Sequence, residues 1–139
     1  MIDRVLVPMD DGELAERALE YALEAHPDAT ITVLHVVGEP SPMMGEAAGL
    51  ALEEDIDAAA EERAQDVFVR AREIAARNDR EVDTAVGWGS PGKVIVANAG
   101  DYDTVVVGSH SSSLVEQLFT GNVAETVFRR SSVPVTVVR

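Results

Sequence analysis

The sequence predicts an α/β domain: a doubly wound, five-stranded parallel sheet with helices on both faces. Three observations predict it. Short β-branched runs alternate with helical stretches in the order βα, βα, βα, βα, β, and such alternation implies parallel strands joined by right-handed crossovers. One of the runs, Thr104-Val105-Val106-Val107, is a continuous β-branched run ending at Gly108, as in a strand covered on both faces. Small and polar residues follow the runs directly, at the carboxyl edge where open α/β sheets bind ligands.

The totals bound the rest. A chain of 139 residues, 46% hydrophobic, forms one domain with a real core, and a single domain over 1–139 is expected. No apolar run reaches the length of a membrane span. Met1-Ile2-Asp3-Arg4-Val5 is not a basic segment leading into an apolar one, so no secretory leader is expected. The absence of cysteine removes disulfide and thiolate chemistry and fits a reducing, cytoplasmic setting. Asp and Glu total 25 against 11 Lys plus Arg, a net charge of −14, so the basic footprint of a nucleic-acid reader is missing. Lys93 is the only lysine. An acidic, lysine-poor surface is expected of a halophilic protein, whose self-repulsion is screened by salt; the ordinary alternative is an acidic cytosolic protein.

Val5-Leu6-Val7-Pro8 is the first strand, starting near Ile2, with Pro8 at its end. Asp10 therefore falls at a ligand edge, where a carboxylate can hold a ribose hydroxyl. Equally, Asp10 or Asp11 can cap the helix predicted over Leu14 to Ala25. In that helix Leu14 or Ala15, Ala18, Leu19, Ala22 and Leu23 make an apolar stripe. His26-Pro27-Asp28 ends it. Thr30 to Val37 is the second strand, and His35 within it reads as a hydrogen-bonded structural histidine, since no second histidine and carboxylate stand at metal-ligand spacing.

Gly38 to Gly49 is expected to be an excursion from the sheet, its Met43-Met44 pair packed or disordered. Leu50 to Arg77 is a long helix, with Leu52, Ile56, Ala60, Ala64, Val67, Ala71 and Ile74 stepping by three or four. Its opening acids Glu53-Glu54-Asp55 and closing arginines complement the helix dipole. Glu81 to Val86 is a less apolar strand, suited to a sheet edge. Gly87 to Gly92 reads as a turn, with Ser90 as helix cap, Pro91 at a first helical position and Lys93 to Ala99 as a short helix. Trp88 is expected to be a packing anchor.

Thr104-Val105-Val106-Val107-Gly108 reads as the central buried strand. A loop rich in small residues follows, from Ser109-His110 through Ser111, Ser112 and Ser113. Gly121-Asn122 then stands before a helix that runs to Arg129-Arg130, with Asn122 as its cap. Free N–H groups of a helix start beside such a loop form an anion site, read here as a phosphate cradle; a plain connection would have the same local pattern. Val133 to Arg139 is the last strand, whose bare edge calls for a covering partner.

On these residues the chain resembles the universal stress protein family over essentially its full length. The resemblance is carried by Val7-Pro8-Met9-Asp10, His35-Val36, Gly89-Ser90-Pro91, Asp103 to Gly108-Ser109-His110, Gly121 and Pro134-Val135, in the family's order. It implies an adenine-nucleotide alpha-hydrolase-like fold, with strand order 3-2-1-4-5, and a homodimer through the C-terminal strand Val133–Arg139. The ATP-binding branch of the family carries Gly, two residues, Gly, nine residues, Gly, then Ser or Thr. Gly108 and Gly121 match the first and third glycines, Ser111 stands in place of the second, and Asn122 replaces the hydroxyl residue. The departures fall on the phosphate half. By resemblance Asp10 touches the ribose, Pro8, Met9 and Val36 hold the adenine, Val107 and Gly108 border the nucleotide, and the backbone of Ser111, Gly121, Asn122 and Val123 lines the phosphates.

The function this implies is a nucleotide-binding, stress-response regulatory protein. Its ligand is ATP or AMP, with Mg2+ or Mn2+ accompanying a triphosphate, and its protein partner is unnamed by the sequence. The alternative is a dimeric interaction module of the same fold without a nucleotide. Turnover beyond slow ATP hydrolysis is not expected. There is no Walker lysine, and Ser109, His110 and Ser111, though adjacent, come with no third group to orient a nucleophile.

Overall fold

A computed structural model describes residues 1–38, 46–109 and 123–139, with side-chain surroundings described outside 46–57. The order of elements is β1 (Arg4–Pro8), α1 (Glu13–Ala25), β2 (Thr30–Val37), α2 (Glu46–Arg77), β3 (Asp83–Trp88), α3 (Pro91–Ala99), β4 (Thr104–Gly108), α4 (Val123–Arg130) and β5 (Val135–Val138). The five strands form one parallel sheet in the order β3-β2-β1-β4-β5, the order that the resemblance implies.

The period-2 geometry of each strand divides its side chains between two cores. Val5, Val7, Ile31, Val33 and Val106 face α1 and α2, where Ala18, Leu19, Ala22, Phe68, Ala71 and Ile74 close the layer. Leu6, Leu34 and Val105 face the other way, against Ile95, Ala99 and Val127 of α3 and α4. Leu6, Leu19, Ile31, Ile74 and Ile95 are all under 2% exposed, each contributing about 2 kcal/mol of burial. The apolar runs Val5-Leu6-Val7 of β1 and Val105-Val106-Val107 of β4 thus have their cause: both faces are covered.

α1 and α2 cross-link at their surfaces through Arg70 and Glu16. The last turn of α1 carries no basic residue of its own. Arg80 supplies one from beyond α2: its guanidinium donates to Leu23 O at 2.7 Å, His26 O at 3.0 Å and Ala29 O at 2.6 Å. Leu23 O lies in the last turn of α1, where carbonyls lack an intrahelical partner; His26 O and Ala29 O belong to the connection into β2. At the opposite edge of the sheet from the ligand side, Asp103 accepts from the main-chain N–H groups of Asp3 (2.8 Å) and Arg4 (2.9 Å), and the Arg4 guanidinium lies 4.9 Å from the Tyr102 ring centre.

Several boundaries differ from the sequence expectation. α2 begins at Glu46, four residues before Leu50. β3 starts at Asp83 and runs through Gly87 to Trp88, instead of Glu81 to Val86. The eight-residue β2 offers partners that far, pairing Val36 with Gly87 and Val37 with Trp88. Gly87 looks like a turn in sequence but is a site of close approach: a Cβ there would lie 2.5 Å from Val94 Cγ1. Trp88 is not a packing anchor. As the last residue of an edge strand it is 56% exposed. β5 is shorter than Val133–Arg139, because Val133 is held in a turn by the Ser131 hydroxyl. Ser90 occupies the N-cap position of α3, but its hydroxyl makes no capping bond. The Met43-Met44 pair, the serine cluster and the Asn122 cap lie outside the described residues.

The strands next to the centre part company at the ligand edge. β1 keeps register with β2 through Pro8↔Leu34, and β4 with β5 through Gly108↔Val138. β1 and β4 pair only as Val5↔Thr104 and Leu6↔Val105. Beyond those residues the two strands diverge, which opens a crevice at the topological switch point of the sheet.

Candidate functional site

The crevice is built by six segments. β1 ends in Pro8-Met9-Asp10, β2 contributes Leu34, His35 and Val36, and β4 contributes Val107 and Gly108. Pro91 and Ile95 of α3 and Val123 and Ala124 of α4 form the opposite wall, with Ala15 of α1 at one side. Its volume is about 130 Å3. Whole-ligand pockets run to roughly 300–1,000 Å3, so the slot suits one flat apolar part of a ligand, with the rest of that ligand extending along the sheet edge.

Asp10 is the one carboxylate among the described lining residues. Its placement is local in origin. Asp10 Oδ1 accepts from Gly12 N–H at 2.8 Å, an Asx turn that bends the backbone from β1 into α1. Neither Asp10 nor Asp11 is therefore the N-cap of α1; that position belongs to Gly12, whose C=O accepts from Glu16 N–H at 3.3 Å. The side chain left at the sheet edge is an acid beside an apolar slot, suited to accept from hydroxyl donors.

Gly108 has a packing reason that its motif does not reveal. A Cβ there would lie 2.9 Å from the carbonyl carbon and oxygen of Leu14 and 3.1 Å from Leu14 Cβ. Only glycine lets α1 start this close to the end of β4. His35, read from sequence as a hydrogen-bonded residue, is 6% exposed, and its Nδ1 lies 2.9 Å from Met9 O. Among the described residues no cluster of three or more His, Asp or Glu gathers at metal-binding distances.

Seven of the residues singled out in sequence, Pro8, Met9, Asp10, Val36, Val107, Gly108 and Val123, meet around this one cleft. Ser111, Gly121 and Asn122 lie outside the described residues. Sequence reasoning did not single out Ala15, Leu34, Pro91, Ile95 or Ala124 as lining. Four of them are indistinguishable in pattern from core positions, and Pro91 carried only a helix-start signal. The described lining is an apolar slot with a carboxylate at its rim.

A family model described as "Universal stress protein family" matches residues 1–139. The universal stress protein YxiE of Bacillus subtilis (strain 168) is 27% identical over 148 residues, covering 100% of each protein. Among solved structures, the universal stress protein UspA from Lactobacillus plantarum superposes with a TM-score of 0.82 at 24% identity, over 99% of this protein and 98% of that one. A universal stress protein in complex with cAMP superposes at 0.72 with 22% identity, over 99% and 97%. Universal stress proteins from Arabidopsis thaliana with AMP bound and from Archaeoglobus fulgidus with dAMP superpose at 0.68 and 0.64, with 18% and 19% identity. The Arabidopsis match covers 98% of this protein and 90% of that one, the Archaeoglobus match 100% and 98%. At these identities the superpositions establish a shared fold.

Proposed function

This chain belongs to the universal stress protein family, and on that footing we propose that it is a stress-response regulatory protein that binds an adenine nucleotide in the β1–β4 crevice. The observation that carries the reading is the convergence of three separate stretches, Pro8 to Asp10, Leu34 to Val36 and Val107-Gly108, on one slot with a single acid at its rim. The base lies against Val36, Ile95 and Val107, where its faces leave water. Asp10 accepts from the ribose hydroxyls. Phosphates extend past Gly108 toward the start of α4, whose first-turn N–H groups and dipole favour an anion. The residues expected there from the family motif are Ser111, Gly121, Asn122 and Val123. Three fold neighbours bound to cAMP, AMP and dAMP support an adenine nucleotide as the ligand class. With AMP the slot and Asp10 carry the binding. With ATP, Mg2+ or Mn2+ neutralises charge that a protein of net −14 would otherwise repel. That charge, with a single lysine, supports a high-salt, halophilic setting.

The protein acts as a homodimer through β5 and its flanks, Val133–Arg139. Two features support this: β5 is a sheet edge, and Val137 and Phe128 beside it are 38% and 65% exposed. The same patch would serve the second reading, an interaction module without nucleotide. Calorimetric titration with Mg-ATP, AMP and cyclic AMP, in low and in molar salt, tests the choice. Saturable binding of any of the three supports the nucleotide reading. No binding by a folded dimer refutes it and leaves the interaction module.

A further inference from the structure

His35 stands where the β1–β2 ladder stops. The last backbone bond between the strands runs from Met9 N–H to Leu34 O at 2.8 Å. Among the described residues Met9 O does not go on to a backbone partner; it faces His35 Nδ1 at 2.9 Å. A carbonyl only accepts, so Nδ1 carries the proton. Along a strand, alternate residues turn their N–H and C=O to opposite neighbours, and in a parallel pair both groups of one residue serve the same neighbour. Val37 O accepts from Gly89 N–H on the β3 side. Val36, like Leu34, therefore turns its N–H toward β1. A ladder one step longer would carry Val36 N–H to Met9 O. His35 occupies that oxygen instead, and Val36 is left lining the cleft.

We propose that His35 is a positioning residue: by holding Met9 O on its Nδ1–H, it ends the β1–β2 ladder at Leu34 and keeps the main-chain N–H of Val36 open to a ring-nitrogen acceptor of a bound heterocyclic base. The ligand half of this statement rests on the nucleotide reading of the cleft; the ladder half does not. His35 also fixes the peptide before Asp10, so one side chain sets both the base contact and the acid.

The test is hydrogen exchange at the Val36 amide of the ligand-free protein, paired with AMP titration, for wild type, His35→Leu and His35→Asn. In His35→Leu, Met9 O captures Val36 N–H, so exchange at Val36 slows roughly tenfold and AMP affinity falls roughly tenfold, the worth of one hydrogen bond of about 1.4 kcal/mol. His35→Asn places Nδ2–H near the original donor and stays within about threefold of wild type in both measurements. Unchanged Val36 exchange in His35→Leu overturns the proposal. So does a wild-type imidazole found by NMR at about pH 8 as the Nε2–H tautomer, an observation that decides even if His35→Leu fails to fold. Should wild type bind no nucleotide, the functional reading fails, while Val36 exchange and the tautomer still decide the role of His35 on the ladder.

Discussion

Replacing Gly108 by alanine separates a packing role from a ligand role. The added Cβ meets the carbonyl carbon and oxygen of Leu14 at 2.9 Å. Non-bonded carbon atoms rest at roughly 3.5–4.0 Å, so α1 must retreat from β4 by several tenths of an ångström. Overpacking of this kind costs about 1–3 kcal/mol. At roughly 4 °C per kcal/mol for a domain of this size, the melting temperature falls by about 4–12 °C, read by circular dichroism or calorimetry. Truncating Leu14 to alanine in the same protein does not rescue the loss, because the nearest atoms belong to the backbone. Gly12 and the Asp10 turn stand immediately before Leu14, so AMP affinity drops together with stability. A Gly108→Ala protein that melts within about 1 °C of wild type and loses only ATP binding would refute the packing argument, leaving Gly108 as a phosphate-loop glycine alone.

Other consequences follow from the same geometry. Arg80→Ala removes three hydrogen bonds to carbonyls of the last turn of α1 and of the connection into β2 and lowers unfolding stability by about 2–3 kcal/mol in urea titration; Arg80→Lys recovers only part, since one ammonium cannot span what the guanidinium fork reaches. The Asp103 carboxyl is held below its usual range, first by the N–H of Asp3 and then by that of Arg4. A depressed folded pKa gives stability that is complete above the unfolded value, about 3.9, and that disappears as pH falls through the folded one. Asp103→Asn is accordingly less stable than wild type at neutral pH, and the gap in melting temperature closes on acidification below about pH 4; a gap independent of pH would remove the carboxylate from the explanation. Asp10→Asn keeps an acceptor for Gly12 N–H, so the turn and the melting temperature persist, while AMP affinity falls about tenfold or more through loss of the charged acceptor; undiminished affinity in titration would take Asp10 off the ribose.

Legibility in the sequence tracked how local the cause was. The bounds of β2, Thr30–Val37, follow from its run of β-branched residues and those of β4, Thr104–Gly108, from a continuous apolar run that burial on both faces writes into the sequence. β3 was misplaced because the reason it continues through Gly87-Trp88 lies in β2, which has residues left to pair. Asp10 shows the limit of spacing: an acid two residues before a helix fits an N-cap and an Asx turn alike, and only the Gly12 N–H contact separates them. The close approach of Leu14 to Gly108 joins residues far apart in sequence, and no local pattern records it. Likewise His35 could be read as hydrogen-bonded, but its partner, Met9 O, follows from strand register alone.

The central place of β1 has a cost in time. Its partner on one side, β2, follows within some thirty residues, but the other side waits for Thr104 and Val105. At a synthesis rate of about 5–20 residues per second, that flank of a nascent Val5-Leu6-Val7 strand stays unpaired for roughly 5–20 s. A short apolar edge of this kind is what neighbouring nascent polypeptides would add to. Asp3 stands on one side of the strand and Asp10-Asp11 on the other, in the position of gatekeeper charges. The carboxylate assigned to the ribose in the finished protein thus also guards the strand before β4 has been made.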